Sequence, residues 1–151
     1  MDIACSIKIK TYIEEAFKFI LNEDKLKQWI DGLENVEFLF NMDEYNPVGA
    51  KFKLKIDNKD KANIYNGEIV AYDKPRLLAV KIFIDNMEAG IIFNLESNLF
   101  GTKINCEVYL KNEGVFKRDY GLFFNWKIKK RIKEILNKLK IAAESSYFPS
   151  N

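Results

Sequence analysis

Histidine is absent from this 151-residue chain. That removes the Ser-His and Cys-His nucleophile pairs and the usual imidazole metal ligands. Cysteine is scarce: Cys5 and Cys106 stand alone. Two are too few for a disulfide framework, and without histidine they cannot supply the four ligands of a common zinc site. An excess of one charge is missing too, since 24 basic residues face 22 acidic ones for a net +2. Overall charge therefore gives no case for nucleic acid as a partner. No stretch approaches the roughly 18 uninterrupted apolar residues that span a membrane. The opening residues, Met1 to Lys8, lack the basic region and apolar run of a secretory signal. These absences lead to an expectation of a cytoplasmic protein with reduced thiols, no metal and no cofactor. Acid or base chemistry would fall to Asp, Glu, Lys, Tyr or Cys. No catalytic constellation of these emerges, so binding is favoured over turnover.

What the chain has is rings. Twelve Phe, seven Tyr and two Trp exceed what a tightly filled small core requires, and suit either plain core packing or a lined pocket. The length suits one domain over 1–151 with a single substantial core.

Periodicity supplies the elements. Ile3, Cys5, Ile7 and Ile9 alternate with Lys8 and Lys10, the period of two of a half-buried strand. Thr11-Tyr12-Ile13-Glu14 fits a capping box, followed by a short helix through Ala16, Phe17, Ile20 and Leu21. Asn22 is placed to cap a second short helix carrying Leu26, Trp29 and Ile30, ended by Gly32. Strand then follows strand to about residue 111. Val36, Phe38 and Phe40 alternate with Glu37, and Phe52, Leu54 and Ile56 with Lys51, Lys53 and Lys55. Tyr65, Gly67, Ile69 and Ala71 share a face, as do Leu78, Val80, Ile82 and Ile84. Ile91, Phe93 and Leu95 make the next face, and Ile104, Cys106, Val108 and Leu110 the last. Turns are expected at 58–61, 73–75, 85–86 and Gly101-Thr102. Residues from roughly 117 to 146 read as one helix about 40 Å long, with Tyr120, Phe124, Ile128, Ile132, Ile135, Leu139 and Ala142 on one stripe. Pro149 lies beyond its end. Six consecutive strands should form an antiparallel meander, and only the long helix can cover its greasy side. The expected class is α+β, with a curved seven-stranded antiparallel sheet around that helix.

Several local marks then fall into a familiar order. They are Leu26-x-x-Trp29, Pro47-Val48-Gly49-x-x-Phe52, Gly67-x-Ile69, Asp73-x-Pro75-x-x-Leu78 and Gly101-Thr102-x-Ile104. In this order and spacing the chain, from about Ile3 to Glu144, resembles the helix-grip fold of the SRPBCC superfamily. That superfamily includes START lipid-transfer domains, polyketide cyclases and pollen-allergen-like proteins. The resemblance implies a cavity between sheet and long helix, and ligands that are lipids, polyketides or other apolar molecules. It also admits a cyclase- or dehydrase-like enzyme, or a chaperone-activator-like interaction domain.

Inward parity gives the expected lining: Phe38, Phe52, Leu54, Tyr65, Ile69, Val80, Ile82, Phe93, Cys106 and Val108 from the sheet, with Phe124 and Ile128 from the helix. Tyr65 would either orient a ligand carbonyl or hydroxyl, or satisfy itself on backbone or water. Arg131, at the edge of the helical stripe, would either reach a ligand carboxylate or enolate, or snorkel to solvent. Lys127, Lys129, Lys130, Lys133, Lys138 and Lys140 make the helix back basic. Such a face can lie on an anionic membrane, but this helix is needed by the core, so its basic side reads as its solvated back. Cys5 and Cys106 pack as small hydrophobes, or pair if the strand register allows. Gly114, Phe116, Phe123 and Trp126 either line a cavity mouth or pack on the short helices. The number of chains in the assembly is not readable from the sequence.

Overall fold

Strand β3 (Lys51–Asn58) sets the pattern: Phe52, Leu54 and Ile56 turn inward while Lys51, Lys53, Lys55 and Asp57 face water. The same alternation runs through β1 (Asp2–Ile9), β2 (Leu33–Phe38), β4 (Lys61–Asp73), β5 (Leu77–Ile84), β6 (Met87–Asn98) and β7 (Gly101–Asn112). In this computed structural model the described residues are 2–39, 46–58, 61–84, 87–112 and 121–147. Phe40, the turns at 59–60 and 85–86, Gly114, Phe116, residues 117–120 and Pro149 lie outside them, as do the side chains of Phe123 and Phe124. The strands form one seven-stranded antiparallel sheet in the order β1-β7-β6-β5-β4-β3-β2. Strands β2 to β7 meander, and β1 closes on β7.

Two short helices fill one end. Helix α1 (Ile13–Leu21) buries Ala16, Phe17, Phe19 and Ile20. Its last turn is tied down by Trp29, whose Nε1–H donates to the Phe19 carbonyl at 2.8 Å in a buried setting. That carbonyl belongs to a helix end, where no intrahelical donor remains. The capping box does not form: Tyr12 occupies the N-cap and no side chain caps the helix. Thr11 is instead held by tertiary contacts, its carbonyl accepting the Thr102 hydroxyl at 2.8 Å. Helix α2 (Glu23–Leu26) is shorter than expected, and Asn22 makes no side-chain cap. Residues 27–32 turn the chain instead, with Trp29 still in the core. Gly32 has φ +79, and a Cβ there would collide with the Asp57 carbonyl, so only glycine fits.

Helix α3 (Gly121–Tyr147) lies along β1. Its deepest residues are Leu136, Leu139 and Ala143, displaced part of a turn from the expected Ile135–Leu139–Ala142 line. Two lysines of its basic back also stitch it down. Lys138 pairs with Asp31, and Lys140 donates to the Lys8 carbonyl at 3.0 Å and to Glu144 at 3.2 Å. Glu144 also accepts the Lys10 backbone N–H at 3.0 Å. Burial alone would raise the Glu144 pKa, but these donors outweigh it and hold the carboxyl below its ordinary value.

Two strand details depart from simple alternation. A bulge between Ile69 and Ala71 flips parity in β4, so Tyr72, not Ala71, faces inward and meets Phe17 edge-on at 5.6 Å. The last hairpin turns on Leu99 and Phe100, leaving Thr102 fully buried within β7 rather than in the turn.

Candidate functional site

Register partners on the inward face line up as rungs across the sheet. One rung runs Cys5–Cys106–Phe93–Leu78–Tyr72, and the next Ile3–Val108–Ile91–Val80–Ile69. A third runs Leu110–Ala89–Ile82–Gly67–Phe52–Phe38, and Leu54 faces Tyr65 beyond it. The ten sheet residues expected to line a cavity therefore share one face and neighbour one another. Phe52 and Phe38 touch edge-to-face at 6.0 Å. Gly67 lets the Phe52 ring cross β4, since a Cβ there would overlap that ring.

Burial along these rungs is uneven. At the end covered by α1 and the last turns of α3, Ile9, Phe17, Leu95, Ile104, Leu136 and Leu139 are all sealed from solvent. At the other end Leu54, Tyr65, Val80, Ile82 and Ile91 remain partly exposed, although β5 and β6 are interior strands. Along α3 burial also grades: Ile128 and Ile132 are partly exposed, whereas Leu136, Leu139 and Ala143 are buried. Apolar groups in the middle of a sheet's inner face are normally removed from water. Here the inner-face residues of the central strands, and Ile128 and Ile132 of α3, are only partly covered.

The other expected lining residues fall into place unequally. Phe52, Ile69, Phe93, Cys106 and Val108 are buried on the inner face, and Phe38 is partly exposed. Phe124 cannot be placed, its side chain lying outside the described residues. Arg131 takes the solvent-facing one of the two placements expected for it. It sits roughly 100° round the helix from Ile132, its side chain is 66% exposed, and it approaches Glu134 at 3.6 Å. Ile91, Ile132 and Asn63 belong to the accessible set and were not anticipated as lining. Their parity with Phe93, Ile128 and Tyr65 is the signal that would have found them.

The chemistry of these rungs is spare. No charged side chain stands on them. The Tyr65 hydroxyl makes no hydrogen bond to another described residue. Cys106, pushed up to about 12 by burial, by the neighbouring Cys5 and by Glu107, remains a thiol at neutral pH. Among the described residues no cluster of three or more Cys, Asp or Glu is placed to hold a metal, and no helix is long and apolar enough to cross a membrane. Such walls can bind an apolar body and orient it with a hydroxyl or an amide.

No family model matches the chain, and no curated protein matches it in sequence. Solved structures do match it along nearly its whole length. The crystal structure of Ara h 8.0201 superposes with a TM-score of 0.74 at 16% identity, covering 96% of this chain and 98% of that one. A protein of unknown function, SA2116 from Staphylococcus aureus, gives 0.71 at 16% identity over 97% and 95%. The di-domain ARO/CYC StfQ from the steffimycin biosynthetic pathway gives 0.72 at 12% identity, over 97% of this chain and 52% of that one. At such identities the likeness concerns the fold. It is a helix-grip fold, as the sequence resemblance implied.

Proposed function

We propose that this helix-grip domain binds a small apolar molecule in the hollow between β4–β6 and the first half of α3. The observation that carries the reading is the exposure of Val80, Ile82 and Ile91, apolar residues on the inner face of interior strands. Leaving them wet is unfavourable by about 25 cal/mol for each Å² of apolar surface, and an apolar ligand would recover that. The ligand should carry at most one or two polar groups, since among the described residues only Tyr65 and Asn63 offer side-chain hydrogen bonds at the partly exposed end. Proton-transfer catalysis is disfavoured, because the chain has no histidine, no carboxylate or lysine among the described residues stands on these rungs, and Cys106 stays protonated. One observation favours a second reading, a cyclase-like enzyme. The Tyr65 hydroxyl, without a described protein partner, is placed to polarise a reactive substrate.

The test is native mass spectrometry of gently purified protein, followed by displacement of an environment-sensitive apolar dye. Binding is expected in the wild type and should disappear in Val80→Trp, which fills the hollow, once that variant is confirmed folded. Tyr65→Phe should weaken binding by about 1 kcal/mol, roughly fivefold. Dye bound equally by wild type and folded Val80→Trp would rule out the hollow. A retained molecule returned chemically changed, with a hundredfold loss in Tyr65→Phe, would establish the enzyme reading instead.

A further inference from the structure

The two cysteines, 101 positions apart, are direct partners across the β1–β7 ladder: Cys5 stands opposite Cys106. Both are free, and both lie on the inner face with 8% and 4% of their surface exposed. Opposed residues in an antiparallel pair have Cα atoms about 4.5 or 5.5 Å apart, depending on the hydrogen-bonding position. Both values fall inside the roughly 4.4–6.8 Å range of disulfides. Directly opposed side chains also leave the sheet on the same side. The flanking positions, Ile3, Ile7, Ile104 and Val108, and Phe93 beside Cys106, are apolar. The two thiols are therefore each other's nearest chemical match. β1 is moreover an edge strand, the kind of element that opens without global unfolding.

We propose that Cys5 and Cys106 form a reversible cross-strand disulfide by exchange with a small-molecule disulfide of the glutathione type, stapling the edge strand β1 to β7. Opening of β1 exposes Cys5, whose thiolate attacks one sulfur of the incoming disulfide. That S–S bond breaks, and one small thiolate leaves and takes up a proton. Cys106 then loses its proton and attacks the Cys5 sulfur of the mixed disulfide, expelling the second small thiol. Two protein thiols are oxidised, one small disulfide is reduced to two thiols, and the protons pass to the leaving groups. The elevated pKa of Cys106, about 12, makes the closed form slow to react, so the rate follows the opening of β1.

The experiment incubates folded wild-type protein in mixtures of reduced and oxidised glutathione. It quenches with acid and alkylating reagent, then reads intact mass and a non-reducing peptide map. The expected product is a monomer two hydrogens lighter, its Cys5 peptide joined to its Cys106 peptide, with no glutathione retained. It should return to the starting mass in dithiothreitol. Closing so long a loop should also raise the melting temperature by on the order of 5–10 °C. Cys5→Ser should stop at a single glutathione adduct or stay unmodified, and the wild-type map decides the matter if that variant does not fold. The proposal is overturned if native wild-type protein stays reduced while a urea-unfolded sample oxidises. Accumulation of stable glutathione adducts, or of disulfide-linked dimers, would overturn it equally.

Discussion

Gly67→Ala adds one methyl at the tightest point of the inner face. Gly67 faces Phe52 on one side and Ile82 on the other, and the Phe52 ring lies over it. The new Cβ would overlap that ring and come within 2.9 Å of the Lys81 carbonyl oxygen. The ring cannot swing freely, because Phe52 is only 6% exposed and its edge meets Phe38 at 6.0 Å. Overpacking of this kind costs roughly 1–3 kcal/mol, about 2–12 °C of melting temperature for a chain of this size. The assay is urea unfolding followed by tryptophan fluorescence, applied to Gly67→Ala, Phe52→Leu and the double variant. Phe52→Leu alone should cost about 1–2 kcal/mol, because leucine leaves part of the ring's volume empty. If the ring is what the methyl strikes, shortening it makes room. The double variant should then be more stable than the sum of the singles by about 1–2 kcal/mol. Additivity to within about 0.5 kcal/mol, or a Gly67→Ala variant as stable as wild type, would refute the packing described.

Two further outcomes probe how α3 is held. Leu139→Ala empties a fully buried site beneath the helix and should cost about 3–5 kcal/mol in urea unfolding. Ile141→Ala, 57% exposed on the far side, should change stability by less than about 0.5 kcal/mol. Glu144→Gln tests the seam with β1. The folded-state pKa of Glu144 lies below its ordinary 4.5, so its stabilisation is present above the unfolded-state value and is lost as pH falls through the folded one. The stability gap between wild type and Glu144→Gln should therefore be full at neutral pH and shrink steadily below pH 4.5. A gap that widens in acid would contradict the assignment.

The alternation of Phe52, Leu54 and Ile56 with lysines makes β3 legible from its residues alone, and the same pattern in the other strands marks the inner face. A period of two depends only on local pleat, so it survives translation from sequence to sheet. Features set by distant partners are not legible in this way. The bulge after Ile69 brings in Tyr72, where unbroken alternation points to Ala71. Thr11 looks like a helix cap, but Thr102, brought beside it by the sheet, claims its carbonyl and the helix begins two residues later. Along α3 the apolar stripe is part of a turn from its expected line, because Leu136 and Ala143 sit deeper than Ile135 and Ala142. That same rotation leaves Arg131 in water. Most telling are Val80, Ile82 and Ile91. Their hydrophobicity is plain, but nothing local reveals that the fold leaves them partly wet. Nor can spacing alone place Cys5 opposite Cys106, since that register is agreed between two strands at opposite ends of the chain.

Whether the proposed hollow takes an apolar guest is addressed most directly by methyl-detected NMR during titration with an apolar dye. Val80, Ile82, Ile91 and Ile128, all partly exposed, should show the largest shifts. Ile64, exposed on the outer face, and Ile141, exposed on the back of α3, should stay still. Shifts concentrated at Ile64, Ile141 or Trp126, with the Val80 and Ile82 methyls unmoved, would place binding on the outer surface and contradict the central claim.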